Sequence, residues 1–312
     1  MRPREFSIAS ACGQMARGCT QAEEGSRRNA IELCVAIVDY RTPYGRRCRG
    51  VCSSWLASLR LGAAVPILLR RGSMRLDLSS AHAAAAPLLC IGAGTGVAPL
   101  RALLWEKRMA LDAFRDKGEE ETEKGGLPPA DTLVFGSRHR EKDFLYAEEF
   151  ATLCAGKRPP LRCALAFSRD APSLGKVYVQ HVLRGKKPGL RMGRWGGEGG
   201  NKAAAAGAAA AEASSGQEKK QELGIRPLPL DAAAVADVVW DAIKPAAQGV
   251  GSGETERRAR VFVAGNSSLP GAVFSALGHV ALVRGDFVSH GAALKFVKDL
   301  ERQRVIVVES WS

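Results

Sequence analysis

The chain has 312 residues, 46% hydrophobic and 25% charged, proportions that exclude wholesale disorder, a collagen-like repeat and a coiled coil. At about 100–200 residues per domain the length predicts two domains, and few aromatics (6%) beside 34 glycines favour an Ala/Gly-rich α/β protein over a β-sandwich. Of the net charge of +13, residues 1–75 hold an excess of +8, with 13 Arg and Lys against 5 Asp and Glu. Such a field suits a nucleic acid, an anionic membrane, an acidic protein or a phosphate-rich cofactor.

In chain order, no apolar stretch of signal-peptide length follows Arg2 and Arg4 in the first 30 residues, so no secretory signal is read. The opening RPREFSIAS (2–10) reads as a strand, with Arg4 and Phe6 on one face and Ser7 on the other. IELCVAIVDY (31–40) and AVPILLRRG (64–72) are strand-like; between them, residues 45–59 begin as a loop and end as a short helix. With no crossover helix of normal length between these strands, antiparallel pairing is expected.

From about residue 86 the rhythm becomes alternating. The uncharged run from Ala83 to Leu100 is broken by Pro87, Gly92, Gly94, Gly96 and Pro99, and so reads as a strand, a glycine turn and a helix start rather than a membrane span. PLLCIG (87–92) is a strand and APLRALLWEKRMAL (98–111) an amphipathic helix with Pro99 in its first turn. The strand DTLVFGSR (131–138), a helix around 144–155, the strand LRCALAFSR (161–169) and the helical YVQHVLRG (178–185) follow. A helix over 231–243, the strand RVFVAG (260–265), two helical stretches and the strand RVIVVES (304–310) complete the series. This alternation predicts a parallel sheet covered on both faces. Residues 186–226, rich in Gly, Ala, Lys and Glu, read as a flexible low-complexity insertion, and 115–126 as a loop.

Four strings carry chemistry. In GAGTGVAPLR (92–101), glycines let backbone N–H groups approach a pyrophosphate while the helix dipole favours its charge; a plain tight βα turn needs similar glycines. FSRDAPSLGKVYVQH (167–181) follows a strand whose carboxyl end lies on the ligand edge of a parallel sheet. Its Arg169, Lys176 and Tyr178 offer a forked cation, a point charge and a hydroxyl to a dianionic phosphate, unless they form an ordinary solvated loop. The opening string offers a ring, a cation and a hydroxyl. The carboxyl end, Glu309-Ser310-Trp311-Ser312, closes a strand on an indole. The eight cysteines form no CxxC pair and no zinc spacing; Cys34, Cys90 and Cys163 sit in apolar runs as small thiols, which points to a reduced cytosolic setting. His82, His139, His181, His279 and His290 form no ligand pair or triad, and the serines of CSSW (52–55) lie in no GxSxG elbow.

In their order, RPREFSIAS, GVCSSWLASL, GAGTGVAPLR, FGSRHREKDFLY, AFSRD with KVYVQH, VFVAGN and ESWS resemble the reductase half of the NADPH-dependent diflavin oxidoreductases, the cytochrome P450 reductase-like family. CSSWLASL, AGN and ESWS look most like the branch that reduces the iron–sulfur protein anamorsin in cytosolic iron–sulfur cluster assembly. The resemblance implies a ferredoxin-reductase-like α/β fold: an incomplete antiparallel FAD-binding β-barrel over 1–85, then an NADPH-binding parallel-sheet domain over 86–312. It implies FAD and NADPH as cofactors, FMN only in a full-length protein, and hydride transfer from NADPH to FAD. It also implies onward electron flow to an anamorsin-like partner, a cytoplasmic location, no nucleic acid, no membrane and no metal.

Carried over by residue, Arg4, Glu5, Phe6 and Ser7 form the FAD motif, with Phe6 facing the isoalloxazine and Ser7 near its N5. Gly50, Val51, Cys52 and Ser53 match the FAD diphosphate segment, and Trp311 the aromatic covering the flavin. Ser7, Glu309 and Trp311 are the catalytic set. Thr95, Arg138, Ser168, Arg169, Lys176, Val177, Tyr178, Val179 and Gln180 match the NADPH site. Three positions depart from the family: Phe6 replaces Tyr, Ala264-Gly265-Asn266 stands where many members have Cys-Gly-Asp, and Glu309 replaces Asp. Because the string of motifs begins at the RxFS strand, the resemblance further implies a fragment lacking the FMN domain. Two other classes stay open on the residues: a basic nucleic-acid-binding module, and a non-catalytic remnant folded only in its nucleotide domain.

Overall fold

The computed structural model describes residues 3–11, 30–118, 129–155, 160–170, 175–185, 232–245 and 259–311. The expected insertion at 186–226 and most of the 115–126 loop lie outside the described residues.

Among the described residues, seven strands form two sheets. The smaller is an antiparallel hairpin of β1 (Asp39–Arg41) and β2 (Arg47–Arg49), followed by α1 (Val51–Ser58) and the single turn α2 (Ala81–Ala84). The larger holds β3 (Leu88–Ala93), β4 (Asp131–Ser137), β5 (Leu161–Phe167), β6 (Arg260–Asn266) and β7 (Ile306–Trp311), all parallel, in the order β5-β4-β3-β6-β7. Its helices are α3 (Val97–Asp116), α4 (Arg140–Asp143), α5 (Ala147–Ala155), α6 (Val179–Leu183), α7 (Ala232–Ile243), α8 (Leu269–Arg284) and α9 (His290–Arg302). Among the described residues, no helix is long and apolar enough to cross a membrane.

Strand alternation divides the core between two layers. Leu89, Ile91, Val134, Val261 and Val263 face α6 to α9 on one side. Leu88, Cys90, Leu133, Phe135 and Phe262 face Leu100, Leu103 and Leu104 of α3 and Phe150 and Leu153 of α5 on the other. Full burial of each such side chain contributes about 1.5–3 kcal/mol. The sheet therefore has helices on both faces, as the alternation predicts. The α3 helix runs five residues past the predicted 111, its last turn carrying an Asp112–Arg115 pair at 3.2 Å.

Two charged pairs lie inside this frame. Lys107 of α3 donates to Asp131 Oδ1 (2.6 Å) and to the Ala86 carbonyl (2.8 Å), while the same Oδ1 accepts from Leu88 N–H (2.8 Å). One interaction thus ties α3 to the starts of β3 and β4. Arg101 makes the second pair, with Glu149.

The front of the chain corrects the barrel expectation. Among the described residues only β1 and β2 pair as a sheet there, and the 31–40 segment adds one isolated antiparallel bridge, Ile8 to Leu33. No strand forms at 64–72. A strand exists through its ladder partners, and here Ile67, Leu68 and Leu69 remain 63–76% exposed, while Pro66 offers no N–H.

Candidate functional site

Strand order fixes where a ligand would lie. β3 is the first strand of the large sheet; the chain adds β4 and β5 on one side of it and β6 and β7 on the other, so connections diverge between β3 and β6. In open parallel sheets the crevice outside the carboxyl ends at such a switch point is the ligand site. The glycine turn occupies it. Gly94 has φ +56°, in the left-handed region, and a Cβ on Gly96 would stand 2.1 Å from the Ala264 carbonyl oxygen, so only glycine lets the start of α3 rest against the end of β6. Thr95, half-buried, lies in the turn between β3 and α3.

The neighbouring strand ends carry the predicted basic and hydroxyl residues. The β4–β5 ladder continues past both strands, with Ser168 N–H donating to the Ser137 carbonyl (2.9 Å) and Arg169 N–H to that of Arg138 (2.8 Å). Arg138 and Arg169 are thus backbone neighbours at the edge that holds Thr95. Both are exposed. Arg138 Nε is 3.6 Å from Asp143, whereas Arg169 and Lys176 have no ion-pair partner among the described residues. Ser168 Oγ donates to the Ser137 carbonyl at 3.3 Å. Ser137 Oγ is buried with no hydrogen-bond partner among the described residues, a polar group at the edge that the sequence reading missed.

After β5 the chain returns through Lys176, Val177, Tyr178, Val179 and Gln180 into α6. Val177 and Val179 pack into the core, so they anchor the segment. The Tyr178 ring is 40% exposed and meets His181 edge-on at 5.7 Å. Burial, then the nearby Arg184 charge, holds the His181 pKa below its usual value against a backbone contact from Lys176.

On the far side of the crevice, Ser7 and Glu309 meet although 302 residues separate them: Ser7 Oγ donates to Glu309 Oε1. Ser73 Oγ donates to Glu309 Oε2 at 3.3 Å. Trp311, two residues on and on the same face of β7, is half-buried against the layer that contains Val97 and Ala264. The three residues expected to act together are thus on one strand and its contact, and Ser73 is an unforeseen fourth. Asn266 has a structural task, its Oδ1 accepting from Leu269 N–H (3.1 Å) and Ser268 Oγ (2.9 Å) at the start of α8.

The remaining flavin-motif residues are less joined. Phe6 is 36% exposed, and Arg4 and Glu5 are exposed, Glu5 pairing with Arg70 at 2.9 Å. Gly50 caps α1, where a Cβ would meet Ser53 Oγ at 2.6 Å and Val38 Cβ at 2.8 Å. Ser53 Oγ accepts from Val38 N–H at 3.1 Å; Val51 is exposed and Cys52 half-buried. Among the described residues no hydrogen bond or ion pair joins Gly50–Ser53 to Arg4–Ser7. A cavity of about 220 Å³ is lined by Arg184, Gly185, Ala236, His279, Val280, Val283 and Arg284, none of them a predicted site residue. We give the strand-edge crevice precedence because the chemistry-bearing side chains converge there.

No family model matches the chain. Over 186 residues it is 39% identical to NADPH-dependent diflavin oxidoreductase 1 of Emericella nidulans, an overlap of 59% of this chain and 26% of that protein. It is 29% identical over all 312 residues to the protein of the same name from Mycosarcoma maydis, covering 35% of that protein. With NADPH–cytochrome P450 reductase of Sus scrofa it is 33% identical over 168 residues, 52% of this chain and 22% of that protein. The chain thus spans only about a fifth to a third of the length of these relatives.

Proposed function

We propose that the chain is part of an NADPH-dependent diflavin oxidoreductase, as its similarity to proteins of that name supports, and that it binds NADPH and FAD for hydride transfer between them. The observation that carries this reading is the Ser7–Glu309 hydrogen bond, two residues before Trp311 and beside the glycine turn. We assign the flavin side to residues 1–85 and the nucleotide side to 86–312. In this reading the cytoplasmic protein passes electrons through FMN to an anamorsin-like iron–sulfur protein, in cytosolic iron–sulfur cluster assembly. FMN is assigned to no residue of these 312.

The groups at the crevice fit such ligands. Backbone N–H groups of the 92–96 turn and the start of α3 receive the pyrophosphate. Arg138 and Ser168 stand by the phosphates and ribose, Ser137 Oγ is a buried hydroxyl awaiting a partner, and Arg169, Lys176 and Tyr178 take the 2′-phosphate. The half-exposed Phe6 ring offers a stacking plane, while Gly50–Ser53 and Arg4 approach the FAD diphosphate. Bound NADPH supplies the hydride and the flavin ring accepts it.

The chain's own contribution is placement. Glu309 accepts from the Ser7 hydroxyl and so holds it in a fixed direction. Glutamate's extra methylene lets one carboxylate reach Ser7 and Ser73 together. Trp311 would cover a bound flavin ring and would have to move aside for a nicotinamide, since reacting atoms must come within about 3–3.5 Å.

Replacing Arg169 with Ala removes charge-assisted bonds worth about 1.5–3 kcal/mol. NADPH affinity, measured by titration, is expected to fall about 10- to 100-fold while NADH affinity stays unchanged. Equal losses for both nucleotides would remove the 2′-phosphate assignment.

A further inference from the structure

Arg101 closes the GAGTGVAPLR string and is fully buried, 0% exposed, one turn into the helix that grows from the glycine turn. Its guanidinium forks onto Glu149 of α5, Nε to Oε2 at 2.7 Å and Nη2 to Oε1 at 3.0 Å. Nη1 reaches the other way, to the Ala9 carbonyl at 2.6 Å and Glu32 Oε2 at 2.7 Å. The guanidinium lies 4.5 Å from the Tyr146 ring centroid, and Tyr146 has φ +59°, a left-handed backbone that costs a bulky residue about 1–3 kcal/mol unless its surroundings enforce it. Trp105 Nε1 donates to the same Glu149 oxygen at 2.9 Å. Burial by itself lowers the Arg101 pKa, but Glu149 and Glu32 outweigh it and hold the group charged.

What Arg101 grips on its outer side is the segment that carries Ser7. Ala9 N–H donates to the Glu32 carbonyl at 2.7 Å, Glu32 N–H donates to Ser10 Oγ at 3.0 Å, and Ile8 bridges to Leu33. Residues 8–10 and 32–33 therefore form one stitched unit. Ser7 leaves it directly, toward Glu309. We propose that Arg101 is the positioning residue that sets Ser7 against Glu309, by locking the Ser7 segment to the helix that opens from the glycine turn. A lysine ammonium has three donors on one atom and cannot span Glu149, Ala9 and Glu32 as the planar fork does. The inference rests on the hydride-transfer reading above, since it concerns the alignment of that site.

The test compares Arg101→Lys with Glu32→Gln, which leaves the Arg101–Glu149 fork in place and removes only the outer charge. Amide exchange on the full chain without cofactor is expected to show about tenfold lower protection at Ala9 in both variants. In the flavin-loaded full chain, NADPH affinity is expected to stay within about twofold while single-turnover flavin reduction slows about tenfold. Adding Arg101→Lys to Ser7→Ala is expected to slow reduction no further, because the arginine acts through the serine. Unchanged Ala9 protection in Arg101→Lys, an unchanged reduction rate, or additive losses in the double variant would overturn the proposal. If NADPH does not reduce the wild-type flavin-loaded chain, the hydride-transfer reading fails instead, and exchange at Ala9 still decides whether Arg101 holds this segment.

Discussion

Between residues 88 and 311 the large sheet buries Leu89, Ile91, Leu133, Phe135, Phe262 and Val263 to 1% exposure or less, whereas Ile37, Tyr40, Ile67, Leu68 and Leu69 in the front of the chain are each more than half exposed. The first region is held by two apolar layers pressed on a sheet. The second is held at points: Arg101 on Ala9 and Glu32, Ser53 on Val38 N–H, Ser7 on Glu309, and Arg47 on Asp39. Burial spreads its stabilisation over many small contacts, while hydrogen bonds concentrate it in single atoms. The two regions should therefore respond differently to substitution.

The largest effect is expected at Lys107, one of the two basic groups that penetrate the apolar region among the described residues. Burial pushes the Asp131 pKa up, and Lys107 is the main opposing influence. Lys107→Met leaves Asp131, 3% exposed, without its ion-pair partner, and breaking such a pair costs about 3–5 kcal/mol. Urea unfolding of the whole chain should report this loss. A cost under about 1 kcal/mol would mean that the apolar layers alone hold α3 in place.

Ser53→Ala probes the other region on a smaller scale. It removes the acceptor for Val38 N–H and should cost about 1 kcal/mol. Exchange at Val38 should rise while amides of β3, β4 and β6 keep their protection. Loss of protection in the large sheet would show that the two regions unfold together and that the contrast drawn above is one of appearance only.

How far the sequence reveals each region follows from the same physics. PLLCIG, DTLVFGSR and RVFVAG are legible as strands because residues buried on both sheet faces give continuous apolar runs. Parallel topology then carries Thr95, Arg138 and Ser168 to one edge without any knowledge of their contacts. AVPILLRRG has an equally apolar run and forms no strand, because the missing quantity is a partner rather than a propensity. Partner choice over long separations also hides Ser73, which meets Glu309 across 236 residues, and the buried Lys107–Asp131 and Arg101–Glu149 pairs, each of which looks locally like a charge on a helix face. Cys154 and Cys163 show no redox spacing, yet their sulfurs stand 3.5 Å apart between α5 and β5. The chemistry of single residues is written locally, whereas their pairing is a property of the fold.

A weaker pH effect is expected at His181 of α6, beside Tyr178. Its folded pKa lies below the usual histidine value, mainly through burial, so the unfolded chain takes up the proton first as pH falls. The associated stability is present above about pH 6.5 and is lost as pH drops through the lower folded pKa. Unfolding midpoints at about pH 7.5 and 5.5 should differ less in His181→Gln than in the wild type. An identical difference in both would assign the slope to other groups.

The smallest effect is expected at Leu68, and it sharpens the comparison most directly. Leu68 is 76% exposed and Leu133 0% exposed, so the same side chain stands in opposite environments within one molecule. Leu133→Ala deletes buried methyl groups and leaves a cavity, at a cost of about 2–5 kcal/mol. Leu68→Ser removes almost nothing that folding has taken from water, and its stability change should stay within about 0.5 kcal/mol. Its consequence lies between molecules: Ile67, Leu68 and Leu69 form a run of exposed apolar side chains, and such patches drive association. Light scattering at rising concentration should therefore show less self-association for Leu68→Ser than for the wild type. A stability loss as large as that of Leu133→Ala would mean that Leu68 is covered in solution, and that the front of the chain is secured by burial after all.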